Sequence, residues 1–259
     1  MYYTPYAINT ILNNNNPQFV KKDGAEIMNE PISFDIEVTS MRTAADEKIA
    51  FMYVWMFDIF DCTIIGRTWK EFMETIYAIS NHYQLKGVKR RLVVYVHNLA
   101  FEFNWLRNIF KFKNVMARKS RKVMKCEIEE YNIEFRCTLF MTNSKLEKIP
   151  DLYKFEVKKL VGQLDYSKIR HSETKLSKKE LEYCENDCLI IYEYIKKELE
   201  TYETTKNTPL TSTSHVRREL KELIEKNWDY LNKTRKSINV DGHIYNMMVK
   251  AFAGRIHTR

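Results

Sequence analysis

Glycine and proline are scarce in this 259-residue chain, at six and five residues. That excludes a collagen-like repeat and a fully disordered class. Cysteine is limited to Cys62, Cys126, Cys137, Cys184 and Cys188, an odd number with no C-x-x-C pair. Such usage speaks against a disulfide framework and a zinc knuckle. The expectation is reduced thiols in a cytosol, with Cys184 and Cys188 packing on one helix face. No run of 18 or more apolar residues occurs, so no membrane span is expected. Met1-Tyr2-Tyr3-Thr4-Pro5 lacks the charged and apolar regions of a secretory signal.

What is present is ordinary in amount and uneven in placement. Hydrophobic residues make up 44%, enough for a sizeable core. The length suits one large domain or one domain with an extension, on a prior of roughly 150 residues per domain. Lys and Arg number 42 against 34 Asp and Glu, a net charge of +8. Positive charge favours a polyanion partner, nucleic acid first, although a merely soluble basic protein fits the number equally well. Basic runs lie at Lys86–Arg91 and Arg118–Lys125, and residues 179–200 are rich in Glu. The 118–125 segment, between predicted strands, is read as a contact to a phosphate backbone or as a solvated hairpin tip.

Residues 1–30 are polar and contain Asn13-Asn14-Asn15-Asn16-Pro17, which reads as an extension with little core of its own. Ile32–Val38 alternates with the period of a strand. Lys48–Phe60 reads as a buried strand and Cys62–Gly66 as a third, giving a meander. Thr68–Leu85 has helical spacing with Thr68 as N-cap. Leu92–His97 is β-rich, and Phe101–Phe110 reads as a helix following it. Val123–Ile128 and Ile133–Phe140 look like paired strands. Ser177–Leu199 is the plainest helix, with Ser177 and Glu180 forming a capping box. After Thr201 a threonine-rich linker is expected, with helical patterns at Val216–Ile224 and His243–Phe252. The order predicts a mixed α/β fold, a central sheet flanked by helices.

Three groups of residues carry chemistry. Asp35 and Glu37 are two apart on a predicted strand and so project from one face. Two adjacent carboxylates on an apolar strand repel, and a divalent cation would relieve that; a solvated face is the alternative. His97-Asn98-Leu99-Ala100-Phe101-Glu102 places a carboxylate at the start of a helix that follows a strand end, where α/β sites are built. Glu102 could also simply complement the helix dipole. His97 reads as a core or loop histidine orienting this segment, or as a ligand of metal or substrate. Tyr183 and Asp187, four apart, share a helix face. They can act together on one small object, or the Tyr can simply fill a helix seam.

Taken in order, Asp-x-Glu, Asn-Leu-x-Phe-Glu and Tyr-x-x-x-Asp resemble the three exonuclease motifs of the DEDD superfamily, Tyr variety. His97-Asn98-Leu99-x-Phe101 and Tyr183-x-x-Asn186-Asp187 resemble more closely the proofreading domain of protein-primed family B DNA polymerases of bacteriophages. The similarity covers about 32–200. It implies an RNase H-like (DnaQ-like) fold over 31–200, located in a bacterial host cytosol. It implies two divalent ions, Mg²⁺ or Mn²⁺, held by Asp35, Glu37, Glu102 and Asp187, with Tyr183 orienting the attacking water. Two metals ~4 Å apart can activate a water and stabilise the leaving 3′ oxygen. By the same resemblance Asn98 and Phe101 contact a single-stranded 3′ end, and Leu146–Ile149 falls at a DNA-binding motif, making Leu146 a substrate contact.

The chain departs from the family at four places. Glu102 stands where many relatives have Asp, and Val38 where some have a DNA-contacting Thr. Lys145 precedes Leu146, with Ser144 one residue earlier. Val161 precedes Gly162-Gln163-Leu164-Asp165-Tyr166 where some relatives have a catalytic Lys; Lys158 or Lys159 is the available substitute. Ala251-Phe252-Ala253-Gly254 resembles the start of the linker to a polymerase domain, with Arg255 at the family's second Gly. Residues 201–259 are thus read as a linker and helical extension ending where a polymerase would begin. The chain is expected not to polymerise DNA, being free-standing, split from a polymerase subunit, or truncated. A separate polymerase subunit or a terminal protein is then a candidate partner.

The leading expectation is a metal-dependent 3′→5′ exonuclease on single-stranded DNA. The alternatives are a catalytically silent module that binds single-stranded DNA or a partner, and the same fold acting on RNA or short oligonucleotides.

Overall fold

The computed structural model describes residues 1–86, 89–160, 164–165 and 167–229, with 232–233, 242–244 and 246–247 besides. It divides into two units, Met1–Ser212 and Thr213–Arg259. The first unit begins with helix α1 (Pro5–Asn14) and the hairpin of β1 (Phe19–Lys22) and β2 (Ala25–Met28). A meander follows: β3 (Ile32–Arg42), β4 (Lys48–Ile59) and β5 (Cys62–Gly66). Then come α2 (Trp69–His82), β6 (Arg90–Val96), α3 (Ala100–Leu106), β7 (Phe112–Ala117), β8 (Val123–Ile128) and β9 (Ile133–Cys137). Short helices α4 (Thr138–Thr142) and α5 (Ile149–Tyr153) lead to the long α6 (Lys178–Tyr202). The second unit is represented by α7, Ser212–Lys226, with Val216, Leu220 and Leu223 exposed.

Among the described residues nine strands form a mixed sheet, ordered β5-β4-β3-β6-β9-β8-β7, with the β1–β2 hairpin joined to the start of β6. Strands β3, β6 and β9 run parallel; β4, β5, β7 and β8 run against their neighbours. Helices cover both faces, as the mixed α/β reading expected. Strand alternation sorts the side chains. Phe34 and Ile36 enter one core with Ile8 and Leu12 of α1 and Phe72 and Ile76 of α2. On the opposite face Val93 and Tyr95 pack against Ile190, Ile191, Tyr194 and Ile195 of α6. Beside them Tyr53, Val54 and Met56 meet Tyr183, Cys184 and Cys188.

Both long helices start where their sequences said they would. Thr68 and Ser177 each accept from the backbone N–H three residues on, and Glu71 and Glu180 reach back to complete the capping boxes. The three-stranded meander is also as expected.

Four expectations differ from the structure. Residues 1–30 are built into the fold: Ile8, Ile11, Leu12, Ile27 and Met28 are buried. These five buried side chains are scattered over a thirty-residue stretch and give a weak periodic signal, yet each finds a place in the core clusters. The threonine-rich stretch after α6 is partly interior. Thr205 is fully buried and Thr208 nearly so, because Arg136 and Tyr95 under it need acceptors. Arg136 Nη1 donates to the Thr205 carbonyl at 2.7 Å, and Tyr95 Oη lies 2.8 Å from Thr208 Oγ1. Strand β9 stops at Cys137 rather than reaching Phe140, because its partner β6 ends opposite it at Val96. With no ladder left, the chain turns into α4. Helix α3 closes at Leu106 and gives way to turns before β7, an edge strand. The helical pattern at His243–Phe252, and Ala251–Arg255, lie largely or wholly outside the described residues. So do Val161, Gly162, Gln163 and Tyr166. Among the described residues no helix is long and apolar enough to cross a membrane.

Candidate active site

Strand β3 supplies the first two acids. Ser33, Asp35 and Glu37 alternate with Phe34 and Ile36, so they face α6 while the apolar pair faces the other core. The register of β3 on β4 shifts between Glu37 and Val38. A bulge there bends the strand, as bulges do beside functional sites. Helix α6 brings the third acid: Tyr183 and Asp187, one turn apart, are both buried. Helix α3 follows directly on β6 and carries buried Glu102 in its first turn.

These elements meet at one place. Ligand oxygens of Asp35, Glu37 and Asp187 lie within 4.8 Å of one another, close enough to hold a metal ion. Glu102 stands against this triad, near enough for its charge to act on Asp35. From the other side Lys159 Nζ donates to Asp187 Oδ2 at 2.6 Å.

The cluster is costly to charge. Burial, reinforced by Glu102, Asp187 and Glu37, holds the Asp35 carboxyl well above the usual carboxylate range. Burial and Asp187 push Glu37 up to about 7, with Lys159 and Arg170 pulling the other way. Glu102 is pushed up to about 8, by burial first. Asp187 is raised by burial and held back by Lys159. Burial works to lower the Lys159 ammonium, but Asp187, Asp35 and Glu37 outweigh it and raise the group. Glu102 Oε2 and Asp187 Oδ1 are buried with no hydrogen-bond partner among the described residues. An all-oxygen donor set, excess negative charge and two orphaned carboxylate oxygens fit a hard divalent cation.

The other expected residues fall on two sides of the burial line. Asn98 is exposed at the end of β6, in the left-handed region at φ 65°, which Asn tolerates. Its carbonyl accepts from the Phe101 N–H, starting α3. Phe101 is 39% exposed, unusual for a phenyl ring, and sits next to Glu102 in sequence. Leu146 is 9% exposed and packs with Ile149 and Ile191. His97 Nδ1 lies 3.0 Å from Thr138 Oγ1. Burial, with Lys159 nearby, pushes its pKa down to about 4, so the ring is neutral near pH 7.

Two further residues shape the site. Of the paired lysines, Lys158 turns outward to Asp151 at 3.3 Å while Lys159 enters the cluster. Arg170, itself buried, donates twice to Glu180 Oε1 and once to the Asp165 carbonyl. It staples the segment before α6 to the helix start, and its charge reaches Glu37. No sequence signal marks Arg170. Both residues come from the irregular stretch between α5 and α6.

No family profile and no curated protein matches the sequence. Among solved structures the chain is similar to phi29 DNA polymerase. Against that enzyme complexed with primer-template DNA and incoming nucleotides, the TM-score is 0.58 at 19% identity, over 81% of this chain and 35% of the other. Against the complex with single-stranded DNA the TM-score is 0.56 at 21% identity, over 75% and 35%. The post-translocation complex with primer-template DNA gives 0.58 at 20%, over 80% and 35%. The chain therefore spans about a third of the length of the polymerase chains it matches. The likeness is one of fold: an α/β architecture shared with part of the phi29 DNA polymerase chain.

Proposed function

We propose that this chain is a metal-dependent 3′→5′ exonuclease acting on single-stranded DNA ends. The observation that carries the reading is the convergence of Asp35, Glu37 and Asp187 within 4.8 Å, with Glu102 against Asp35. The fold's likeness to a DNA polymerase solved with single-stranded DNA supports a DNA substrate. The direction of cleavage rests on the motif resemblance.

In this reading Asp35, Glu37, Glu102 and Asp187 hold two ions, Mg²⁺ or Mn²⁺. Bound there, the ions supply positive charge to the scissile phosphate and a lowered pKa to the attacking water. Tyr183, one helical turn before Asp187, orients that water. Lys159 balances the acids when no phosphate is present and lies close enough to meet one that arrives. Asn98 and Phe101, both exposed, take the terminal nucleotides by hydrogen bonding and stacking. Water attack at phosphorus breaks the bond to the 3′ oxygen and releases a nucleoside 5′-monophosphate.

The test is digestion of 5′-labelled single-stranded DNA with Mg²⁺, with Mn²⁺ and with chelator. A ladder shortening from the 3′ end, abolished in Asp35→Ala and weakened in Tyr183→Phe, is expected. Metal-dependent digestion that survives Asp35→Ala would refute the assignment. One observation favours a second reading, a silent DNA-binding module: Lys159 already neutralises Asp187 without an ion. That reading predicts retained binding and no ladder.

A further inference from the structure

The hairpin joining β7 to β8 is not used by the cleavage chemistry, and its composition is unusual. Arg118, Lys119, Arg121 and Lys122 place four cations in five residues, all exposed. The turn is a defined structure. Arg118 N–H donates to the Lys122 carbonyl and Lys122 N–H to the Lys119 carbonyl, with Arg121 in the left-handed region at φ 57°. Cations on the stem are consumed internally: Lys113 pairs with buried Glu127 and Lys125 with Glu134. Among the described residues none of the four tip cations has an ion-pair partner. A tight turn thus holds four like charges together, with no counter-charge paired to them among the described residues.

The sheet register says where this turn points. Ser33 pairs with Tyr95, the adjacent β9 row is Arg136, and that residue pairs with Lys125, which pairs with Met116. These five residues form one row across the sheet. Continuing past that row, β3 runs to Asp35 and Glu37 and β6 to His97. Strand β8, running the other way, leads on the same side to Lys122, and β7 to Arg118. The basic turn and the acidic cluster therefore lie at the same end of the sheet. From β3 to β8 there are three strand spacings of about 4.8 Å, or ~14 Å. A stacked strand advances about 3.4 Å per nucleotide, so four nucleotides cover the gap.

We propose that the 118–122 turn is a backbone-binding subsite for the DNA strand whose 3′ end lies in the acidic cluster, gripping phosphates about four or more nucleotides from that end. This rests on the exonuclease reading for the position of the 3′ end. The subsite offsets a local difficulty of that reading: four acids repel a polyanion, and cations set back along the strand hold it without competing with metal ions.

The test measures binding of 5′-fluorescein-labelled oligothymidylates, two to twelve nucleotides long, to the full chain across a salt series in chelator. The quadruple variant Arg118→Gln, Lys119→Gln, Arg121→Gln, Lys122→Gln is compared with wild type. A second variant exchanges Arg and Lys at the same four positions. At about 0.7 per phosphate on single strands, four contacts lower the slope of log K against log salt by roughly 2 to 3. The twelve-mer is expected to lose roughly 100-fold in affinity at 0.1 M salt, while the charge-retaining variant binds like wild type. Wild-type affinity should step up beyond about four nucleotides, and that step should vanish in the Gln variant. An unchanged slope in the Gln variant, with wild-type cleavage intact, overturns the subsite alone and leaves the cations as guards of the β7 edge. Absence of wild-type binding to any length also overturns the subsite, while the exonuclease reading falls only if wild-type digestion with Mg²⁺ or Mn²⁺ is absent too.

Discussion

Replacing Lys159 by methionine removes the ammonium that lies 2.6 Å from Asp187 Oδ2 and keeps most of the apolar stem. In the metal-free protein that charge offsets part of the acidic cluster. Removing one partner of a buried ion pair costs about 3–5 kcal/mol. Here the lysine side chain is 23% exposed against 6% for the aspartate, and the cluster can take up a proton in its place. Both features reduce the cost, to roughly 2 kcal/mol on that scale. For a unit of this size that corresponds to a Tm lower by about 4–8 °C. A divalent ion between the same carboxylates would supply the missing charge. Scanning calorimetry of the full chain should therefore show the loss in chelator and most of it recovered in excess Mg²⁺. An equal loss in both conditions would count against this account, since lysine and ion would then not be answering the same charge.

Two further outcomes follow from packing and burial away from the site. Glu198 is buried on α6, and burial pushes its pKa up to about 7, with Tyr194 pulling the other way. A carboxyl raised on folding contributes stability below its unfolded pKa and loses it as pH rises through the folded value. Glu198→Gln, neutral throughout, should gain up to about 3 kcal/mol on wild type between pH 4.5 and pH 8; urea titrations giving a pH-independent difference would count against this. A Cβ at Gly66 would run into the Trp55 indole, which is buried and donates to the Thr68 carbonyl at 2.9 Å. Gly66→Ala is therefore expected to cost about 1–3 kcal/mol, read as a lower urea midpoint at unchanged m-value.

Local rules carried much of the site into view. Period-2 alternation is a property of any strand, so Asp35 and Glu37 had to share a face. The 3.6-residue turn likewise puts Tyr183 beside Asp187, and the capping boxes at Thr68 and Ser177 announced both long helices. Other features had no local signature. The run Ile133–Phe140 is uniformly compatible with a strand; only the end of β6 at Val96 decides that β9 stops at Cys137. Leu146 is as apolar as a nucleotide contact or a core residue would be, and only the structure shows it packed with Ile149 and Ile191.

The local pattern alone dictates which acids can act together, because helix and strand periods are set by backbone geometry within a few residues. It dictates too that a mixed sheet flanked by helices forms. Long-range packing selects Lys159, and not Lys158, for the cluster, and lets Arg170 tie the preceding segment to α6. The same holds for the interior place of Thr205 and Thr208 beneath a chain that reads as linker. These contacts join residues 10 to 69 positions apart or more through irregular backbone. Their partners are set by which surfaces meet when the sheet and helices pack, and no short-range pattern encodes that.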